Sequence, residues 1–65
     1  MYKNRIREIR KKKGLTLETV SSLAGISIGY LCHLERGTRA NPSAQIMEKI
    51  AESLEESVIE VFFTK

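Results

Sequence analysis

Three glycines, Gly14, Gly25 and Gly37, divide the first part of the chain into segments that leave room for only a few turns of helix each. Between these stops the apolar residues recur at spacings of three and four. Tyr2, Ile6, Ile9 and the stem of Lys13 outline a first helix over about residues 3–13, which Gly14 closes as a left-handed cap. Leu17, Val20, Leu23 and Ala24 outline a second over about 17–24, capped by the Thr16 hydroxyl and stopped by Gly25. Gly25-Ile26-Ser27 reads as a tight turn with Gly25 at positive φ, Ile26 directed into the core and Ser27 capping a third helix over about 28–36.

From Gly37 to Pro42 the chain reads as a loop carrying the only proline, after which Ser43 caps a helix from Ala44 to Leu54. That helix presents Ile46, Met47, Ile50, Ala51 and Leu54 on one face. Ser57 with Glu60 forms a capping box that opens a last short helix through Val58, Val61 and Phe62. Hairpin signals, repeats and low-complexity stretches are missing. The expected fold is all-α, five short helices in one domain over residues 1–65. With 65 residues, 42% of them apolar, the chain can fill one small core, and its lone cysteine, Cys32, forbids an internal disulfide. Stability has to come from helix packing, with dimerisation as a supplement.

The same inventory excludes functions. One histidine, no aspartate and no Gly-rich phosphate loop leave little to build catalysis from, so an enzyme is not expected. Without a Cys and His cluster, no metal or cofactor is expected either. No apolar run approaches the roughly 20 residues of a membrane span, and Met1-Tyr2-Lys3-Asn4-Arg5 lacks the apolar stretch of a secretory signal, which points to a soluble cytoplasmic protein without a membrane partner. Charge is unevenly placed. Residues 1–42 hold nine Lys or Arg against three Glu, whereas residues 43–65 hold two Lys against five Glu. Such asymmetry in a small chain predicts a basic surface for a polyanion and a separate acidic surface for something else.

Residues 16–36 are two short helices joined by a tight glycine turn, with small residues at Ala24 and Gly25 where the helices must approach. This is the helix-turn-helix pattern. Around it the chain resembles the phage repressor and Cro type (XRE-like) of helix-turn-helix protein, with a lambda-repressor-like fold. The resemblance is carried by Ile9-Arg10, Gly14-Leu15-Thr16, Leu23-Ala24-Gly25-Ile26-Ser27, Tyr30-Leu31, Leu34-Glu35-Arg36-Gly37, Asn41-Pro42-Ser43, Ile50-Ala51, Ser57-Val58 and Val61-Phe62. It implies a sequence-specific bacterial or phage transcriptional regulator, a repressor that occupies a pseudo-palindromic double-stranded DNA operator as a homodimer. No effector domain is visible, so no small-molecule effector is expected.

By the same resemblance the third helix enters the major groove with Ser27, Ile28, Gly29 and His33. The helical phase agrees, because Leu31 and Leu34 must point into the core. Ser27 and His33 can hydrogen-bond base edges, and Ile28 can offer only apolar contact. Arg36, Thr38, Arg39 and Asn41 follow where the family's loop meets the DNA backbone, Tyr30 has a hydroxyl nearby, and the helix starts at Thr16 and Ser43 can offer N–H groups to phosphates. At Leu17 the family often has a glutamine that contacts DNA, and that polar contact is missing here. The inventory of hydrogen-bonding groups on the third helix is poor, which leaves open a second class of function, a protein-interaction adaptor or antirepressor that keeps the fold without specific DNA binding.

Other residues have plainer readings beside these. Lys11-Lys12-Lys13 reads as a solvated helix end favoured by the dipole. Cys32 reads as a small, partly buried residue, with a redox role open and only Arg36 one turn away to favour it. Arg10 follows Ile6 by four and Glu35 follows Leu31 by four, so both charges lie beside apolar stripes, and the resemblance places a structural ion pair between them. In the last helix the core stripe leaves Ile59 and Phe63 unexplained. They share one face, and the reading is a dimer interface, with folding back onto helix 1 near Tyr2 as the alternative.

Overall fold

The computed structural model describes residues 4–37 and 42–63. Over these residues the chain forms five helices, α1 Ile6–Lys12, α2 Leu17–Ala24, α3 Ile28–Arg36, α4 Ala44–Ser53 and α5 Val58–Phe62, with no strand among them. Four of the five begin in the same way. The hydroxyl of Thr16, Ser27, Ser43 or Ser57 accepts a hydrogen bond from the backbone N–H three residues on, at 3.0 to 3.2 Å. Each such cap stabilises its helix by about 1 kcal/mol. At Ser57 only this half of the capping box is used, because the Glu60 carboxylate turns to Arg5 instead.

α1 is shorter than its apolar spacing suggests. The Asn4 side chain accepts locally from the Ile6 N–H, and the Arg5 N–H donates to the Val61 carbonyl of α5 at 2.7 Å, so the Arg5 N–H is committed to a tertiary bond and the chain does not open a further helical turn before Ile6. Tyr2, placed by the sequence on this helix, lies outside the described residues. α1, α2 and α4 end alike. In each, an N–H reaches back five residues to a carbonyl, Leu15 to Arg10, Ile26 to Ser21 and Glu56 to Ala51. The residue between must be left-handed. Gly25 meets this demand at φ 71°, whereas α4 has Glu55 there, at φ 58°. A side chain in that region costs roughly 1–2 kcal/mol.

The core is built from Ile6, Ile9, Val20, Ala24, Leu31, Leu34, Ile50, Ala51, Leu54, Val61 and Phe62, flanked by half-buried Leu15, Leu17, Ile26, Tyr30, Ile46, Met47 and Val58. α2 sits at the centre against α3 and α4, and α5 closes the base against α1 and α4. One position departs from the sequence reading. Leu23, grouped with the apolar stripe of α2, is 65% exposed, and Ser21 is buried in its stead. The Ser21 hydroxyl is satisfied by the Glu18 carbonyl at 3.0 Å, so this small residue can be buried without an unpaired polar group. The buried stripe of α2 is therefore Val20, Ser21 and Ala24, with Leu17 half-buried beside it.

Candidate nucleic-acid interface

α3 is held by Arg10 of α1 and by Asn4 just before α1. Arg10, almost fully buried, sends Nε to Glu35 Oε2 at 2.6 Å and Nη2 to Glu35 Oε1 at 3.3 Å, while Nη1 reaches the Leu15 carbonyl just before α2 at 2.9 Å. The side chains of this pair are 11% and 6% exposed. One guanidinium thus ties α1 to the entry of α2 and to the last turn of α3, which fixes how the two helices of the turn motif are presented. Asn4 adds a third tie, donating from Nδ2 to the Leu34 carbonyl at 2.8 Å.

With Leu31 and Leu34 fully buried, the opposite side of α3 is turned outward. Gly29, His33 and Arg36 recur there at spacings of four and three and are exposed, with Ile28 beside them at 45% exposure. Ser27 is exposed at the head of this face, its oxygen occupied by the cap to the Tyr30 N–H. Gly29 has no internal reason to be glycine. A Cβ there would meet nothing within 4 Å, and its backbone is ordinary helix. A glycine inside a helix costs about 0.5–1 kcal/mol relative to alanine. The surface at Gly29 is suited to close approach by something outside the chain.

Of the remaining residues singled out in the sequence, Thr16 and Ser43 stand exposed at the starts of α2 and α4, both engaged as caps. Tyr30 is half-buried against the core on the flank of α3. Thr38, Arg39 and Asn41 lie outside the described residues. Ile59 and Phe63 are 67% and 64% exposed, on α5 and just after it. One residue next to the α3 face escaped the sequence reading. From α1, Arg7 lines a hollow of about 140 Å³ together with Arg10, Leu17, Cys32, Glu35 and Arg36. Nothing in the spacing of α1 could have linked Arg7 to Arg36, because only the packing of α1 beside α3 brings them together. Among the described residues no group of three or more His, Cys, Asp or Glu side chains could hold a metal ion.

A family model described as a helix-turn-helix domain matches residues 4–65. The transcriptional regulator SinR of Bacillus subtilis (strain 168) is 40% identical over 58 residues, 89% of this chain and 52% of SinR, so the chain spans about half the length of this relative. Among solved structures, the restriction-modification controller protein C.AhdI from Aeromonas hydrophila superposes with a TM-score of 0.81 at 39% identity, covering 86% of this chain and 83% of that one. A crystal structure of SinR in complex with DNA superposes with a TM-score of 0.77 at 41% identity, over 83% of this chain and 86% of that one. With five helices, a glycine turn between α2 and α3, and matches that run nearly end to end, the chain belongs to the helix-turn-helix domain family, in its repressor and Cro type.

Proposed function

We propose that this chain binds double-stranded DNA as a transcriptional regulator, with α3 docked in the major groove of a pseudo-palindromic operator. The outer face of α3 carries the reading. It is exposed, it bears a glycine that the fold itself does not need, and in a relative of 41% identity the same domain is solved on DNA. Ser27, Ile28, Gly29 and His33 face the bases. Thr16, Tyr30, Arg36 and Ser43 meet the backbone, joined by Thr38, Arg39 and Asn41. Repression follows from occupancy of the operator, in the cytoplasm.

The operator is bound by a homodimer through Ile59 and Phe63, which places the acidic part of the chain away from DNA and the two recognition helices about 34 Å apart. Selection of binding sites from random DNA tests the reading directly. The expected outcome is a two-fold symmetric site with half-sites one turn apart; recovery of no sequence overturns sequence-specific binding. Replacing both Ile59 and Phe63 by asparagine should leave helical content intact, give monomers in sedimentation and weaken operator binding. A wild type that stays monomeric on its operator removes the dimer. The adaptor reading is favoured by Ile28 and Gly29, which offer bases no hydrogen bond, and it requires that DNA affinity be absent at every salt concentration.

A further inference from the structure

Arg7 on α1 and Arg36 at the end of α3 share the hollow of about 140 Å³ between α1, α2 and α3. Neither makes a hydrogen bond or ion pair among the described residues. The single carboxylate in the wall, Glu35, has both oxygens engaged by Arg10. The wall therefore carries two uncompensated positive charges over a neutralised buried pair. A concave surface concentrates such a field, and guanidinium groups match the geometry of phosphate oxygens. The volume is that of four or five liquid waters at about 30 Å³ each, enough for one phosphodiester group.

The position also fits. Cys32 and Arg36, one turn apart on α3, form the side of the hollow next to the outer face, and Arg36 belongs to that face with Gly29 and His33. A backbone bordering a major groove occupied by α3 would run past this opening. We infer that the hollow seats one phosphate of the DNA backbone, gripped from two helices by Arg7 and Arg36, so that the DNA-binding surface extends beyond the helix-turn-helix onto α1. The inference rests on the DNA-binding reading above and adds to it a residue that the motif does not contain.

Lys12 provides the control. It is on the same helix but lines the hollow on the α5 side, with Arg5, Lys13, Glu56 and Glu60. Binding of wild type, Arg7→Gln and Lys12→Gln to a random-sequence duplex is measured across a salt series, with far-UV circular dichroism to show that the variants are folded. Loss of one phosphate contact lowers the log–log salt slope by about 0.9. The expected result is that decrement for Arg7→Gln, with weaker binding, and the wild-type slope for Lys12→Gln. An Arg7→Gln protein with the wild-type slope overturns the inference, and so does a Lys12→Gln protein that loses as much. A wild type without salt-dependent binding would instead refute the DNA-binding reading itself, so the two failures are distinct.

Discussion

On the side of α1 that faces α5, Arg5 bridges Glu8 at 3.2 Å and Glu60 at 2.9 Å, and Lys13 reaches the Leu54 carbonyl at 2.6 Å and Glu56 at 3.2 Å. On the side that faces α2 and α3, the Arg10–Glu35 pair is buried beneath Arg7 and Arg36, which have no carboxylate of their own among the described residues. The first side consists of partly exposed pairs, one at the start of α1 and two reaching α5 or the turn before it, each worth little in water. In the second, a single buried pair sets the geometry of the turn motif, and the charges above it are left for a partner. Charge that is matched inside the chain serves the fold, and charge that is left unmatched beside the exposed helix is what the proposed DNA contact draws on.

This contrast can be broken at several points. The largest effect is expected for Arg10→Met, which strands the Glu35 carboxylate at 6% exposure; urea unfolding should show a loss of about 3–5 kcal/mol. A loss below 1 kcal/mol would mean that the pair does not organise α3. Next is Gly29→Ala, whose effects on stability and binding should have opposite signs. The methyl group meets nothing in the chain, so stability should rise by about 0.5–1 kcal/mol while affinity for DNA falls. A variant that gains stability and binds DNA as well as the wild type would show that α3 is not approached closely at that point.

The smallest effects belong to the α5 side. Arg5 lowers the Glu8 carboxyl from its ordinary value of 4.5, first by the hydrogen bonds it donates and then by its charge. The folded state thus holds this proton less tightly than the unfolded chain. The stabilisation is present above the ordinary carboxylate value and is lost as pH falls through the depressed one. Urea midpoints measured across that acid range should fall less steeply for Glu8→Gln than for the wild type. Because the pair is exposed, at neutral pH the variant should differ from wild type by much less than Arg10→Met does.

Local rules account for much of this molecule. A hydroxyl three residues ahead of an N–H makes the same cap wherever the chain is placed, so Thr16, Ser27, Ser43 and Ser57 mark their helices without reference to anything distant. The glycine stops work in the same way. Where an outcome depends on a neighbour, the local rules fail. The spacing of α2 allows either flank of the Leu17, Val20 and Ala24 stripe to be buried, and packing against the rest of the core selects Ser21 over Leu23. The start of α1 is set by a carbonyl on α5, and Glu55 takes a left-handed conformation that its residue type gives no reason to expect.

The candidate site divides along the same line. The helical period shows that Gly29, His33 and Arg36 share a face opposite Leu31 and Leu34, because residues one turn apart on a helix are neighbours under any fold. The same period places Arg10 and Glu35 beside their apolar stripes, but the bidentate geometry and its burial exist only once α1 crosses the end of α3. The hollow behind Arg36 belongs wholly to that crossing. Periodicity specifies the direction of a side chain around its own helix axis and carries no information about which other axis lies alongside. The five helices and the outer face of α3 follow from local chemistry, whereas the partner of each charge was decided by the packing of helices distant in sequence.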